Sequence, residues 1–197
     1  MTHRRTDPSP PDEHRRHVIR VLGRGGLALP FVVNGVLLHL SPAQARVRAL
    51  PLAHLSRAQA ATLAALGEVL LPGAAAAGVV HFVDQQLGTS PDSCLLMLRY
   101  FAVAPPYAAF YSGGLDALDA IARRRHGAAF DACAAEHKSA LAGQMFGGQL
   151  EGWSGPPLAL FYMAVRSDAV DVVYGNSAGA KALGLPTMEH ILPPTPW

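Results

Sequence analysis

Apolar positions recur at helical spacing in five stretches of this chain, and Pro and Gly separate them. The clearest runs from Ser56 to Leu71, where Ala60, Leu63, Leu66 and Leu70 fall on one face. Ser56 followed three residues later by Gln59 predicts a capping box, and Pro72-Gly73 predicts the stop. A loop of small residues, 74–78, leads into Val79–Leu87. There Val79, Phe82, Val83 and Leu87 share a face, with His81, Asp84 and Gln85 expected to point away. Cys94–Val103 is apolar and reads equally as helix or strand, ended by Pro105-Pro106. In Leu115–His126 the inward side is Leu115, Leu118, Ile121 and Ala122. Its acids come early and Arg123-Arg124-Arg125 late, the order the helix dipole favours, with Gly127 as the natural end. A weaker pattern covers Ala132–Leu150. Leu158–Tyr174 then places Leu158, Phe161, Tyr162, Val165, Ala169 and Val172 on one side, and Gly175 closes it. No alternating strand pair and no internal repeat stands out. The reading is all-α: a small irregular helical domain with long Pro/Gly-rich connections.

The two ends behave differently. Residues 185–197 carry Pro186, Pro193, Pro194 and Pro196, which exclude helix and inner strand, yet also Met188, Ile191, Leu192 and Trp197. This reads as an extended arm that lies on its own helices or on a partner. At the front, Arg15-Arg16 precede Val18-Ile19-Arg20, then an apolar run Leu27–Leu40, then Ser41-Pro42-Ala43-Gln44-Ala45. A charged start, an apolar middle and a small-x-small exit at Ala43 and Ala45 make a secretory signal, with cleavage expected after Ala45. The paired arginines point to the twin-arginine route, which exports folded proteins. The expected organisation is therefore a leader over 1–45 and a helical domain over 46–197, with 185–197 as the arm. The apolar run is shorter than the ~20 residues that span a bilayer comfortably, so an uncleaved anchor is the alternative.

Composition narrows the partner class. Half of the 197 residues are hydrophobic and 15% charged, which excludes a disordered chain. Residues 1–45 hold six arginines against three acids, and the remainder ten bases against eleven acids. A domain so close to neutrality lacks the basic footprint of a nucleic-acid binder.

Candidate chemistry is sparse. Dinucleotide, phosphate-loop, nucleophile-elbow and zinc-protease motifs are missing. His54, His81, His126, His137 and His190 share no short ligand spacing with one another or with a cysteine, which speaks against a metal. Cys94 and Cys133 form neither C-x-x-C nor a haem-attachment motif; a disulfide between them and two separate buried thiols stay open. Asp168 and Asp171, one turn apart beside Arg166, read as a helix-surface pair with no nucleophile near them.

The C-terminal third carries a pattern: Gly155-Pro156-Pro157, Leu160-Phe161-Tyr162, Arg166-Ser167-Asp168-Ala169-Val170-Asp171-Val172-Val173-Tyr174-Gly175, Leu183-Gly184-Leu185-Pro186, Met188, His190-Ile191 and a closing Pro-x-Trp. Together with Leu55-Ser56-x-x-Gln59-x-x-x-Leu63, Leu70-Leu71-Pro72, Ala77-Gly78-Val79-Val80-x-Phe82-Val83-Asp84, Arg99-Tyr100 and Pro105-Pro106-Tyr107, it resembles the gluconate 2-dehydrogenase subunit 3 family over roughly residues 50–197. The resemblance implies the cofactor-free small subunit of a membrane-bound sugar or sugar-acid dehydrogenase. In such a complex a large FAD subunit oxidises the substrate and a multi-haem cytochrome c subunit takes the electrons. It further implies periplasmic location, membrane association through the partners, and a role in exporting and stabilising the flavoprotein. Tyr174, Met188, His190, Ile191 and Trp197 become candidate partner-binding residues, and Arg15, Arg16, Ala43 and Ala45 the export signal. A free-standing exported enzyme and a membrane-tethered binding module are the competing readings.

Overall fold

A computed structural model describes residues 27–33, 35–101 and 103–184. Eight helices occur among them: α1 (Pro42–Val47), α2 (Arg57–Leu70), α3 (Ala74–Ala77), α4 (Val79–Leu87), α5 (Ala108–His126), α6 (Ala135–Phe146), α7 (Leu158–Tyr174) and α8 (Ser177–Ala182). One antiparallel hairpin precedes them, β1 (Leu29–Val33) paired with β2 (Val36–Leu40) in the register Leu29 opposite Leu40. Short 3-10 turns at Pro91–Ser93, Met97–Tyr100 and Phe130–Ala132 fill the irregular connections. The mostly helical architecture expected from the pattern is the one observed.

Each long helix buries the stripe that its spacing marks. In α2, Leu63 and Leu66 are fully buried, and Ser56 and Gln59 exchange both bonds of a capping box, at 3.2 and 3.0 Å. In α4, Val79, Phe82 and Val83 are buried; in α7, Phe161, Val165, Ala169 and Val172. α7 runs through the middle, touching α2, α3, α4, α5 and α6. Its approach to α5 is close enough that a Cβ on Gly114 would overlap the Phe161 ring. The aromatic rings of Phe110, Phe161 and Trp153 sit 5.6 to 5.9 Å apart in tilted pairs around that crossing.

Several expectations change. α5 starts at Ala108, seven residues before the predicted Leu115, because Gly113 and Gly114 do not break it: packing against α7 outweighs their low propensity. The described residues of Cys94–Val103 form neither a long helix nor a strand but a 3-10 turn, Met97–Tyr100, with Leu96 and Leu98 buried. Asp84 was expected on the outer face of its helix. It is 5% exposed, and its carboxylate accepts the backbone N–H groups of Ala53, His54 and Leu55 at 2.8 to 2.9 Å. Three donors replace the water that burial removes, and the 51–55 segment is thereby fastened to α4.

The largest difference lies at the front. Leu27–Leu40 forms the hairpin, whose signal was the Asn34-Gly35 dipeptide between two branched apolar runs. Both faces of each strand are apolar, so the period-2 alternation that marks a half-buried strand is absent. Pro42 begins a helix: it occupies the first turn of α1, whose N-cap Ser41 makes a second capping box with Gln44. The fold therefore reaches across the expected boundary between residues 45 and 46.

Candidate functional site

Besides the exposed Val32, Val36, Leu37 and Val47 of the hairpin and α1, three side-chain groupings stand out in the described fold. The first is a buried polar cluster. The Tyr111 hydroxyl, projecting from α5, donates to the Asp168 carboxylate on α7, and the Met97 N–H donates to the same carboxylate at 3.2 Å. The Cys94 thiol packs alongside and points at the Gln86 carbonyl, 3.7 Å away. Asp168 and Tyr111 are inaccessible, and Cys94 nearly so. Burial raises Asp168 to about 7 against the lowering effect of its two hydrogen bonds, and raises the Tyr111 phenol well above its ordinary value. The Cys94 thiol is raised for the same reason. A carboxylate, a phenol and a thiol at one point would suggest acid–base work if substrate could reach them. Here they are closed off, and the cluster ties the Met97–Tyr100 turn to α5 and α7. Asp168 is thus an interior residue, in contrast to the surface pair expected with Asp171; its i−3, i−4 and i+4 neighbours Val165, Ala164 and Val172 mark the inward side.

The second place is the surface of α6 and α7. Phe146 is 75% exposed at the end of α6 and lies 5.5 Å from the Tyr162 ring of α7. Met163 is exposed, while Leu160, Val170 and Tyr174 are half-buried, so α7 carries apolar side chains on its outer side as well as its inner one. Tyr174 ends the helix. Beyond it, Asn176 caps α8 through the Gly179 N–H at 2.9 Å, and its amide donates back to the Val172 and Val173 carbonyls. Gly179 rests directly on Val173 and Tyr174, leaving no room for a Cβ, so α8 folds tightly onto the end of α7. Leu183 closes this region and is half-exposed.

The third place is the basic end of α5. Arg123 pairs with Asp119 at 2.7 Å, and Arg125 donates to the Gln144 side chain and the Glu151 carbonyl. These are exposed groups at a dipole-matched helix end, as the sequence order suggested. His126 and His137 stack at 3.9 Å, and among the described residues no third His, Cys, Asp or Glu joins them with metal-ligand geometry.

Of the candidate site residues, Arg15, Arg16, Met188, His190, Ile191 and Trp197 lie outside the described residues. Ala43 and Ala45 lie in α1, and Ala45 is fully buried. Cys94 and Cys133 are both buried free thiols, each directed at a different backbone carbonyl. The buried Asp168–Tyr111 pair and Asp84 were missed by sequence reasoning. Their signal was an acid inside an otherwise apolar helical stripe. No described helix is long and apolar enough to cross a membrane.

The family model of gluconate 2-dehydrogenase subunit 3 matches residues 57–186, from the first residue of α2 to beyond α8. No curated protein and no solved structure matches the chain.

Proposed function

The chain belongs to the gluconate 2-dehydrogenase subunit 3 family, and from this we propose that it is the non-catalytic small subunit of a periplasmic, membrane-bound flavoprotein dehydrogenase acting on a sugar or sugar acid. In this reading FAD sits in a large partner subunit and haem c in a multi-haem cytochrome partner. This chain brings the twin-arginine signal of Arg15 and Arg16 and stabilises the flavoprotein, and it binds no cofactor of its own. The observation that carries the proposal is the family match over 57–186, which takes in every helix from α2 onward.

The two-sided α7 supports a docking role. Its inner stripe makes the core, its outer side offers Met163, Val170 and Tyr174, and its Tyr162 lies against the exposed Phe146. Aromatic and Met side chains grouped in this way are characteristic of interface centres. The arm, residues 185–197, lies outside the described residues; in this reading it extends that surface onto the flavoprotein. Affinity isolation of the tagged chain from membranes, followed by absorbance spectra, tests the reading. A co-purifying subunit with flavin absorbance and another with a haem Soret band are the expected result. A chain that purifies alone, with activity or a flavin band of its own, would sink it.

A further inference from the structure

The small-x-small motif at Ala43 and Ala45 has the form of a leader exit, yet it is built into the domain. The Ala45 side chain is 0% exposed, its N–H donates to Ser41 at 2.9 Å, and its carbonyl accepts from Leu50 at 3.1 Å. The bond that a peptidase would cut is therefore inside α1, with the N–H and the carbonyl of Ala45 both hydrogen-bonded. α1 itself is pressed onto the start of α4, where Gly78 takes a φ of 89° and a Cβ would overlap the Pro42 carbonyl. Arg46 Nε donates to the Ala76 carbonyl at 3.1 Å, and His81 Nε2 lies 3.2 Å from the Leu50 carbonyl. The hairpin ahead of α1 is equally integrated. Leu29 and Leu40 are buried, Leu27 and Phe31 pack on the core, and Gln85 of α4 donates to the Pro30 carbonyl at 3.3 Å. All of this precedes the family match, which begins at Arg57.

We propose that residues 27–50 are a permanent layer over α4, that folding shields the Ala45–Arg46 bond from signal peptidase, and that the exported chain keeps its leader. Peptidases bind substrate as an extended strand, so α1 would have to leave α4 and unwind before cleavage. Cleavage of a folded protein follows the population of such opened states, which here requires uncovering Leu29, Leu40 and Ala45 together. The twin-arginine route presents the chain already folded, which puts the protection in place before the peptidase is met. This rests on the export reading for the identity of the peptidase and for the folded state in which the chain meets it.

The test uses the full-length chain and purified signal peptidase in detergent, so it does not depend on whether export occurs. The wild-type chain is compared with Leu29→Asp/Leu40→Asp, which loosens the hairpin and leaves residues 41–46 intact; circular dichroism checks that the helices persist. Cleavage between Ala45 and Arg46 is followed by intact mass. The expected result is a wild-type rate at least about tenfold below that of the variant, in line with cleavage limited by opening. Prompt cutting of the wild-type chain at this bond would overturn the proposal. So would equal resistance of both chains, because the fold would then not be what protects the bond. If cells do export the chain, a mature N-terminus at Arg46 would also overturn it, whereas a start ahead of Leu27 would support it.

Discussion

Replacing Asp168 by Asn isolates the energetic consequence of burying a carboxyl among α5, α7 and the Met97–Tyr100 turn. The folded-state pKa of about 7 stands roughly three units above the ordinary carboxyl value. A raised folded pKa means that the native state holds the proton more tightly than the unfolded chain. Its contribution is fully present below about pH 4 and is lost as pH rises toward 7. At ~1.4 kcal/mol per unit the full loss is on the order of 4 kcal/mol, a large fraction of a domain's stability. Asn keeps one acceptor, Oδ1, for the Met97 N–H, turns its amide NH2 to the Tyr111 oxygen, which must then accept, and removes the titration. The cost of that exchange does not vary with pH and drops out of the comparison. Urea denaturation followed by circular dichroism at pH 5, 6, 7 and 8 gives the measurement. The wild-type chain should lose stability relative to Asp168→Asn over this range, by roughly 2 to 3 kcal/mol. Asp171 is raised by burial and tilts both proteins in the same direction, while His81 is lowered and tilts both the other way. Taking the difference between the two proteins cancels both. A difference that stays flat, or that grows in favour of the wild-type chain at high pH, would refute the reasoning.

Asp84→Ala should cost about 2 to 4 kcal/mol by the same assay, because it strips the acceptor from three backbone donors at Ala53, His54 and Leu55. A cost under about half a kcal/mol would mean that water replaces the carboxylate. Gly114→Ala drives a methyl into Phe161 and should destabilise by more than about 1 kcal/mol, whereas Gly143→Ala meets nothing and should gain about 0.5 to 1 kcal/mol; thermal melts that fail to separate the two would count against the α5–α7 contact. Changing Arg15 and Arg16 together to Lys keeps the charge but not the guanidinium geometry, and cell fractionation should then find the chain unexported. Deleting residues 186–197 should leave the helical spectrum and melting temperature intact while abolishing co-purification of the flavoprotein; a folded, truncated chain that still brings the flavoprotein down would remove the arm from the interface.

The five helical stretches were readable because each pairs a 3.6-residue apolar stripe with its own punctuation. Ser56 with Gln59 and Gly175 after Tyr174 sit where the sequence rule puts a start and a stop, and α2 and α7 obey within a residue. The family was readable for a related reason: its most specific run, Arg166–Gly175, spans the inner helix α7, where packing allows few substitutions. The interior acids were not. Asp84 and Asp168 look like surface residues because a carboxylate is normally excluded from a core, and only the positions of Leu55, Met97 and Tyr111 reveal the donors that satisfy them.

Local sequence determined where the helices begin, end and turn their apolar faces, since caps, glycines and periodicity act within a turn or two of the chain. It also determined the near-neutral charge of residues 46–197 and the paired arginines at the front. Tertiary structure alone decided what the first apolar run becomes. Leu27–Leu40 has the composition of a leader core, but α4 offers it a surface to cover, and a hairpin with Ser41-capped α1 buries Leu29, Leu40 and Ala45 there. Hydrophobic burial is non-directional and roughly proportional to area, so an apolar segment carries no mark of which surface will bury it. That choice depends on residues 30 to 55 positions away, such as Ala76 and Gln85, which no reading of the segment itself contains.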